Sequence, residues 1–296
     1  MERDKEKMKL KKGIFVTVLS AVLFGIAPLI TKSIYVHGMN AVGLGFYRTL
    51  LALPFLYSMV RVNHLSLKIS FHELKRITVV ALFGSTLTML FLNLAFSTLD
   101  VGTASTLHFM HPLFVTVICV VLFKDHFNAK KIISLGVALF GVCLFIDISN
   151  LDNLLGISYA ILSSFTYALY IIGIGKFNLH RINTYVLSFW TSLIVLVNFM
   201  IMALFTNSLF LPTSPDLLLL LLGNAIVCQV LAVTLMQLGI TILGPQSASL
   251  LSLFEPVTCV IAGYCFLNET LALNEMLGCF VILLAVILHI RFESKK

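Results

Sequence analysis

A glutamate and a histidine, each followed by proline, stand inside stretches of sequence that carry no other charge. Glu255 is the one charged residue in positions 246–266, and His111 occupies the equivalent place, 144 positions earlier, in positions 101–123. About 20 apolar residues suffice to cross a bilayer as a helix, and a carboxylate at that depth costs about 3 kcal/mol or more unless it is paired or hydrated. Glu255 is therefore a candidate site for a cation, an amine or a coupling proton. The alternative is a structural carboxylate held by hydroxyl groups or by Arg48.

Polar residues recur at three-residue steps around both positions, which places them on one face of a helix. The two sets are Ser249, Ser252 and Glu255, and Ser105, His108 and His111. We expect the two polar faces to meet across a shared cavity. His108 and His111 could take part in a proton relay or contact a polar substrate, or they could be neutral histidines bonded to backbone carbonyls.

The prolines that follow, Pro112 and Pro256, are candidate hinges. Each removes an amide donor and frees the carbonyl four residues earlier, that of His108 or Ser252. We expect each freed carbonyl to bind water, substrate or a neighbouring hydroxyl group.

Four further residues are candidates for contact with a substrate. Arg48 could bind a substrate carboxylate or serve as a structural cation. Asn93 and Gln237 are matched amides that would be costly against lipid, and Tyr170 could stack on an organic substrate or belong to the core.

The composition indicates a polytopic membrane protein of the all-α class. Of the 296 residues, 59% are hydrophobic and 11% charged, with a mean hydropathy of +1.03, whereas soluble proteins are about 25% charged. Continuous apolar runs favour helices over the alternating strands of a barrel. Ten transmembrane helices are predicted, at residues 13–33, 41–60, 77–97, 102–123, 132–147, 154–175, 184–205, 217–240, 245–267 and 273–290.

The basic residues predict which side of the membrane the loops face, since Lys and Arg collect in short cytoplasmic loops. With the amino terminus inside, every Lys and Arg except Lys32 and Arg48 falls on the cytoplasmic side of the ten spans. Both chain ends are therefore expected in the cytoplasm. The basic tail is interpreted as a topological signal beside anionic lipid, and no nucleic-acid partner is expected.

An internal repeat divides the chain into two halves of five helices. Superimposing Pro112 on Pro256 also matches Ala104-Ser105 with Ala248-Ser249, and Asn40 matches Asn183 at a nearly equal offset. Because five is an odd number, the second half must enter the membrane from the opposite face, so the repeats are predicted to be inverted. Such proteins place substrate at mid-depth between the repeats. The predicted units are a basic tail (1–12), two five-helix repeats (13–148 and 154–290) and a cytoplasmic tail (291–296).

Several of these motifs resemble those of a known family. Ala104-Ser105 leads to His111-Pro112-Leu113, Ala248-Ser249 leads to Phe254-Glu255-Pro256, and Arg48 follows Phe46-Tyr47. On these residues the chain resembles the EamA-type ten-helix transporters of the drug/metabolite transporter superfamily. The resemblance implies a secondary carrier of the cytoplasmic (inner) membrane, often an exporter, with a central cavity between its halves. The two histidines depart from many relatives, and Asp125 replaces the usual glutamate.

The predicted function is alternating-access transport of a small organic metabolite, such as an amino acid or related amine, driven by protons or by exchange. The expected partners are this substrate, membrane lipid and protons, and no protein partner, cofactor, metal or disulfide is expected. No nucleotide-binding motif G-x-x-x-x-G-K-[ST] is present, and neither H-E-x-x-H nor G-x-S-x-G supports an enzyme. The alternatives are an intramembrane enzyme acting on lipid, a channel, or a membrane scaffold that does not transport.

The predicted orientation has a direct test. Epitope tags fused to the two chain ends should both be digested by protease in inside-out vesicles and both be protected in right-side-out vesicles. Tags that are digested from opposite faces would contradict an even number of crossings, and with it the inverted repeats.

Overall fold

The structure is a computed structural model that describes residues 2–99, 101–125, 129–144, 153–208, 211–212, 214–267 and 273–293. These residues are helical or lie in turns and short loops, with no strand among them. The first group of helices is α1 (Glu2–Val36), α2 (Ala41–Val62), α3 (Phe71–Thr98), α4 (Val101–His108), α5 (His111–Val121) and α6 (Ala129–Cys143). The second group is α7 (Leu154–Lys176), α8 (Thr184–Thr206), α9 (Pro215–Leu243), α10 (Pro245–Leu251), α11 (Phe254–Leu267) and α12 (Leu273–Glu293).

Within the described residues, eight helical segments are long and apolar enough to cross a membrane. They are α1, α3, α4 with α5, α7, α8, α9, α10 with α11, and α12. Helices α2 and α6 are not among these eight. Helix α2 carries Arg48 and Arg61, and α6 has 15 residues, or about 22 Å at 1.5 Å per residue. The end of the fifth predicted span, with Asp147, lies outside the described residues.

The distribution of side chains fits a lipid environment. Large apolar side chains such as Phe83, Phe140, Phe205 and Phe280 lie on the outer surface, where each is more than half exposed. Many serine, threonine, asparagine and glutamine side chains are buried inside. A surface this apolar is expected to contact acyl chains rather than water, and the all-α membrane fold predicted from the composition is confirmed.

Two long helical segments, α4 with α5 and α10 with α11, are each interrupted by a two-residue turn. The interruptions lie at residues 109–110, between α4 and α5, and at 252–253, between α10 and α11. Pro112 and Pro256 follow within the first turn of the next helix, where a residue without an amide hydrogen is tolerated. The candidate hinges therefore lie where the helices are broken.

Two further irregularities occur inside α3 and α9. Each contains a π-helical turn, at Ala81–Thr86 in α3 and at Ala225–Ala232 in α9. The turns begin at positions 81 and 225, which are 144 residues apart, and the helix breaks at 109–110 and 252–253 are 143 residues apart. Such turns leave backbone groups less regularly bonded and are frequent at functional sites.

The helices of the first half pack against those of the second. Helix α1 packs on α9 and α11, while α7 packs on α3, α4 and α5. Helices α2 and α8 form one further pair, and α6 and α12 another. The largest cluster of buried apolar residues surrounds α7, and includes Tyr167 and Tyr170. The middle of the protein is thus built where the two halves meet.

The close approach of α3 to α7 depends on Gly84, and a substitution tests it. A β-carbon at Gly84 would lie 2.8 Å from the α-carbon of Tyr170, which cannot rotate away, whereas a β-carbon at Gly136 of α6 would meet nothing within 4 Å. Gly84→Ala should therefore lower the free energy of unfolding by roughly 1–3 kcal/mol. Gly136→Ala should leave it unchanged or raise it by up to about 1 kcal/mol. Thermal unfolding in detergent measures both, and equal stability of the two variants would contradict this packing.

Candidate functional site

A cavity of about 90 Å³ lies where the two halves meet. A single water needs roughly 10–15 Å³ on this measure, so the cavity has room for several waters or a small ligand. Helices α1, α2, α3, α4, α7, α9 and α11 contribute to its wall, together with Phe109 of the first break. Its polar and charged lining residues are Thr31, Arg48, Ser85, Thr88, Asn93, Ser105, His108, Tyr167, Tyr170, Gln229 and Glu255.

Glu255 faces this cavity from the first turn of α11. The break at residues 252–253 places it there, since α11 starts at Phe254. Its side chain is partly exposed, and it makes no hydrogen bond or ion pair with any residue that the structure describes. The interpretation of Glu255 as a structural carboxylate, held by hydroxyl groups or by Arg48, therefore finds no contact in its favour. Its carboxylate is available to a ligand in the cavity.

Arg48 reaches the same cavity from α2. Its Nε atom is buried and has no hydrogen-bond partner in the described part of the chain. The ion pairs among the described residues, in which a nitrogen and an oxygen lie within 4.0 Å, include neither Arg48 nor Glu255. The two residues therefore do not pair with each other. A cation and an anion that line one cavity without a protein partner can bind the opposite charges of one ligand.

The two histidines have different surroundings. His108 lines the cavity, and its Nδ1 lies 2.9 Å from the hydroxyl oxygen of Ser163. His111 is fully buried and lies outside the lining. Its Nδ1 donates to the backbone carbonyl of His108 at 3.1 Å, and its Nε2 lies 3.0 Å from the hydroxyl oxygen of Ser252.

The carbonyls freed by the prolines have other partners than the sequence suggested. The His108 carbonyl accepts from the imidazole of His111, and the Ser252 carbonyl accepts from the backbone amide of Glu255 at 2.9 Å. Each freed carbonyl thus has one partner within the chain itself, and the expected water, substrate or hydroxyl partner stays a prediction. The chain can satisfy them itself because each break brings a new donor within reach.

The other predicted site residues divide into two groups. Asn93, Ser105 and Tyr170 line the cavity, whereas Ser249, Ser252 and Gln237 lie outside its lining. Gln237 supports the wall from behind: its amide nitrogen donates to the Tyr170 hydroxyl at 2.7 Å, and its amide oxygen accepts from Ser188 at 2.7 Å. The Ser249 hydroxyl donates to the Gln246 carbonyl one turn earlier. The Ser252 hydroxyl has two acceptors within reach, the Ser249 carbonyl at 2.7 Å and His111 Nε2 at 3.0 Å.

Besides Arg48 and Glu255, two lining residues carry buried polar atoms that have no partner among the described residues. The first is Ser105, through its hydroxyl group. Asn93, by contrast, donates to the Ala41 carbonyl at 3.0 Å. Gln229 is the second, since its amide nitrogen donates to Ser192 at 2.9 Å but its oxygen has no partner among the described residues.

Sequence reasoning missed Gln229, although the repeat contained a signal for it. Gln229 follows Ser85 by 144 residues, and both line the cavity from the matched π-helical turns of α9 and α3. A polar residue at the same repeat position in both halves is what a shared cavity requires.

An ion pair lies away from the cavity, at the end of α7. The ammonium group of Lys176 pairs with Asp125, and the side chain of Gln246 donates to the other carboxylate oxygen of Asp125 at 3.3 Å. This cluster joins the loop after α5 to α7 and α10. Unlike Glu255, Asp125 therefore has partners on both oxygens.

Comparison with known proteins identifies the family to which the chain belongs. The sequence profile of the EamA-like transporter family matches the chain at residues 11–146 and again at 154–291. The chain belongs to the EamA-like transporter family. The two matches show that it carries the family's sequence twice, and the protein is a multi-pass membrane transporter.

One sequence relative and one solved structure are similar to this EamA-like protein. An uncharacterized transporter of Archaeoglobus fulgidus is 26% identical over 231 residues, which cover 76% of this chain and 80% of the relative. A protein solved by crystallography has a TM-score of 0.79 at 14% identity, covering 94% of this chain and 96% of its own. The second comparison shows the fold alone.

The unpaired state of Glu255 leads to a prediction on stability. Glu255→Gln removes a charge that no described residue compensates, so the temperature of unfolding in detergent should stay the same or rise. Asp125→Asn is the matched control, because it weakens a carboxylate with two partners and should lower that temperature. A strong loss of stability in Glu255→Gln would show that the carboxylate holds the fold together.

Proposed function

We propose that the protein is a secondary transporter that moves a small organic metabolite across the cytoplasmic membrane by alternating access. The observation that carries this proposal is the carboxylate of Glu255, which lines the cavity between the halves and has no partner among the described residues. An ionisable group inside a membrane protein is costly and is retained where it binds a solute or ion. The family resemblance favours export, and the gradient that drives it would be one of protons or of an exchanged solute.

We further propose ten transmembrane helices in two inverted five-helix repeats. In this arrangement α2 and α6 also cross the membrane, α4 with α5 is one crossing, and α10 with α11 is another. Packing supports an axis between the halves: α1 packs on α9 and α11, as α7 packs on α3 and on α4 with α5. The pairs α2 with α8 and α6 with α12 would lie across the axis itself.

Matched close contacts support the same axis. A β-carbon at Gly13 would collide with Ile242 and Leu243, and one at Gly156 would collide with Thr98 and Leu99. The glycines are 143 residues apart and their partners 144. In both halves, therefore, a glycine of one helix lies against side chains at the end of a second helix: α1 against α9, and α7 against α3.

The charges in the cavity support a zwitterionic substrate. Glu255 offers a carboxylate to an ammonium group, and Arg48 offers a guanidinium to a carboxylate. The Ser105 hydroxyl and the Gln229 oxygen supply one further donor and one further acceptor. Phe24, Phe96 and Phe109 form an apolar part of the wall, so an amino acid or related amine with an apolar side chain fits the chemistry.

Counterflow in proteoliposomes tests this function. Vesicles loaded with a panel of amino acids and amines should accumulate the labelled form of the same solute for at least one member of the panel. Glu255→Gln should reduce this flux by at least tenfold while the protein stays folded, because one buried charge pair contributes 1.5–3 kcal/mol, or roughly 10- to 150-fold. Arg48→Gln should reduce it similarly for zwitterions but less for amines that lack a carboxylate.

Ser249→Ala is the matched control, since that hydroxyl bonds only within its own helix. Saturable counterflow that is unchanged in Glu255→Gln would exclude the carboxylate from the mechanism. Flux that never saturates would favour a channel.

A further inference from the structure

The hydrogen bond between His111 and Ser252 joins the two helix breaks, one in each half of the chain. His111 Nε2 lies 3.0 Å from the Ser252 hydroxyl oxygen. The imidazole is fully buried and packs edge-on against Tyr167, with ring centroids 4.8 Å apart. This contact fixes the relative position of the breaks in the state described here.

The repeat gives this contact a counterpart. At an offset of 144 residues, His111 corresponds to Glu255 and Ser252 corresponds to His108. The equivalent of the His111–Ser252 bond is therefore a contact between Glu255 and His108. That contact is not formed here, because His108 lies against Ser163 and Glu255 has no described partner.

Both members of the missing contact nevertheless line the same cavity. Glu255 lies one residue beyond the start of α11, and His108 is the last residue of α4, beside the other break. In each half the two residues concerned, His108 and His111 or Ser252 and Glu255, are three positions apart at a helix break.

Two inverted halves with the same fold can each adopt the packing that the other has now, and this exchange turns a central cavity toward the opposite membrane face. We propose that His108 is the alternate protein partner of Glu255: the two form a hydrogen bond in the opposite access state, when His111 and Ser252 separate. This inference rests on the proposed function. It assigns His108 and Ser252 as positioning residues that favour opposite states.

The chemistry of the four side chains fits this exchange. A carboxylate accepts strongly from an imidazole N–H, and a serine hydroxyl can donate to or accept from one. Within the cavity, the pair would also have Arg48, Tyr167 and Tyr170 as neighbours. A ligand bound to Glu255 would compete with His108, which links the substrate to the change of state.

Cysteine labelling tests the proposal without a substrate. Ser85→Cys places a reporter in the cavity wall, in a background that lacks the six native cysteines and unfolds at the native temperature. A membrane-impermeant maleimide is then applied from either side of oriented vesicles, and the ratio of the two labelling rates reports the access state.

The two contacts should move this ratio in opposite directions. Glu255→Leu removes only the contact of the opposite state, so labelling from the side that labels the parent faster should increase. His108→Leu removes that contact together with the His108–Ser163 contact of the present state, so its shift should have the same direction and be smaller. Ser252→Ala weakens the contact of the present state, so the same labelling should decrease. The shifts of Glu255→Leu and Ser252→Ala should each be roughly three- to tenfold, as expected for one hydrogen bond.

Three controls make the result specific. Ser249→Ala removes a hydroxyl one turn from Ser252 that bonds only within its own helix, and should leave the ratio unchanged. His108→Gln restores a donor for the carboxylate and should return the ratio toward that of the parent. Glu255→Leu removes the same contact by changing its other member. It should shift the ratio in the same direction as His108→Leu, and it tests the contact independently of how well His108→Leu folds.

The inference is overturned when His108→Leu and Glu255→Leu leave the ratio unchanged or shift it in the direction of Ser252→Ala. A reporter that labels from one face only in every variant, together with no counterflow in the parent protein, would instead overturn the proposed function. The two failures are therefore distinguishable.

Discussion

Every polar group inside a lipid-facing bundle must find its hydrogen bonds within the protein, because no bulk water reaches it. The interior follows this constraint in detail. The broken helices bind their own freed carbonyls through His111 and through the amide of Glu255. The side-chain amide of Gln237 is likewise satisfied within the protein, by hydrogen bonds to Tyr170 and Ser188. Among the groups for which the described residues offer no partner, Glu255, Nε of Arg48, the Ser105 hydroxyl and the Gln229 oxygen line one cavity, whereas Ser164, His180 and Asn224 lie elsewhere. That concentration identifies the site.

Duplication explains how a chain of this size builds such a cavity. One pattern of a broken helix beside a helix with a π-helical turn occurs twice, and each copy supplies one side of the wall. The two copies are not identical in sequence: one presents His108 and His111 where the other presents Ser252 and Glu255. A repeated backbone with different side chains in its two copies gives two related arrangements of unequal energy, which the proposed alternating-access cycle would use.

The part of the site that could be predicted from sequence is the part that follows from charge and repetition. Glu255 was identifiable because an isolated carboxylate in an apolar run has few structural explanations. Pro112 and Pro256 were identifiable because a missing amide acts locally on its own helix. The partners of these residues depend on how distant helices pack, so neither the Ser163 contact of His108 nor the Ser252 contact of His111 was visible in advance. Gln229 was overlooked because an amide in a long uncharged run is not distinguished by charge, and only its match with Ser85 marks it.

The central claim is that the Glu255 carboxylate contacts solute in the cavity, and carbodiimide modification measures this most directly. A hydrophobic carbodiimide reacts with carboxylic acids at membrane depth, and peptide mass spectrometry reads the modified residue. The account predicts that Glu255 is modified in native membranes and that a transported amino acid or amine slows the reaction in proportion to its occupancy. Modification of Glu255 that no member of a broad panel of metabolites slows, although the protein transports one of them, would contradict the account.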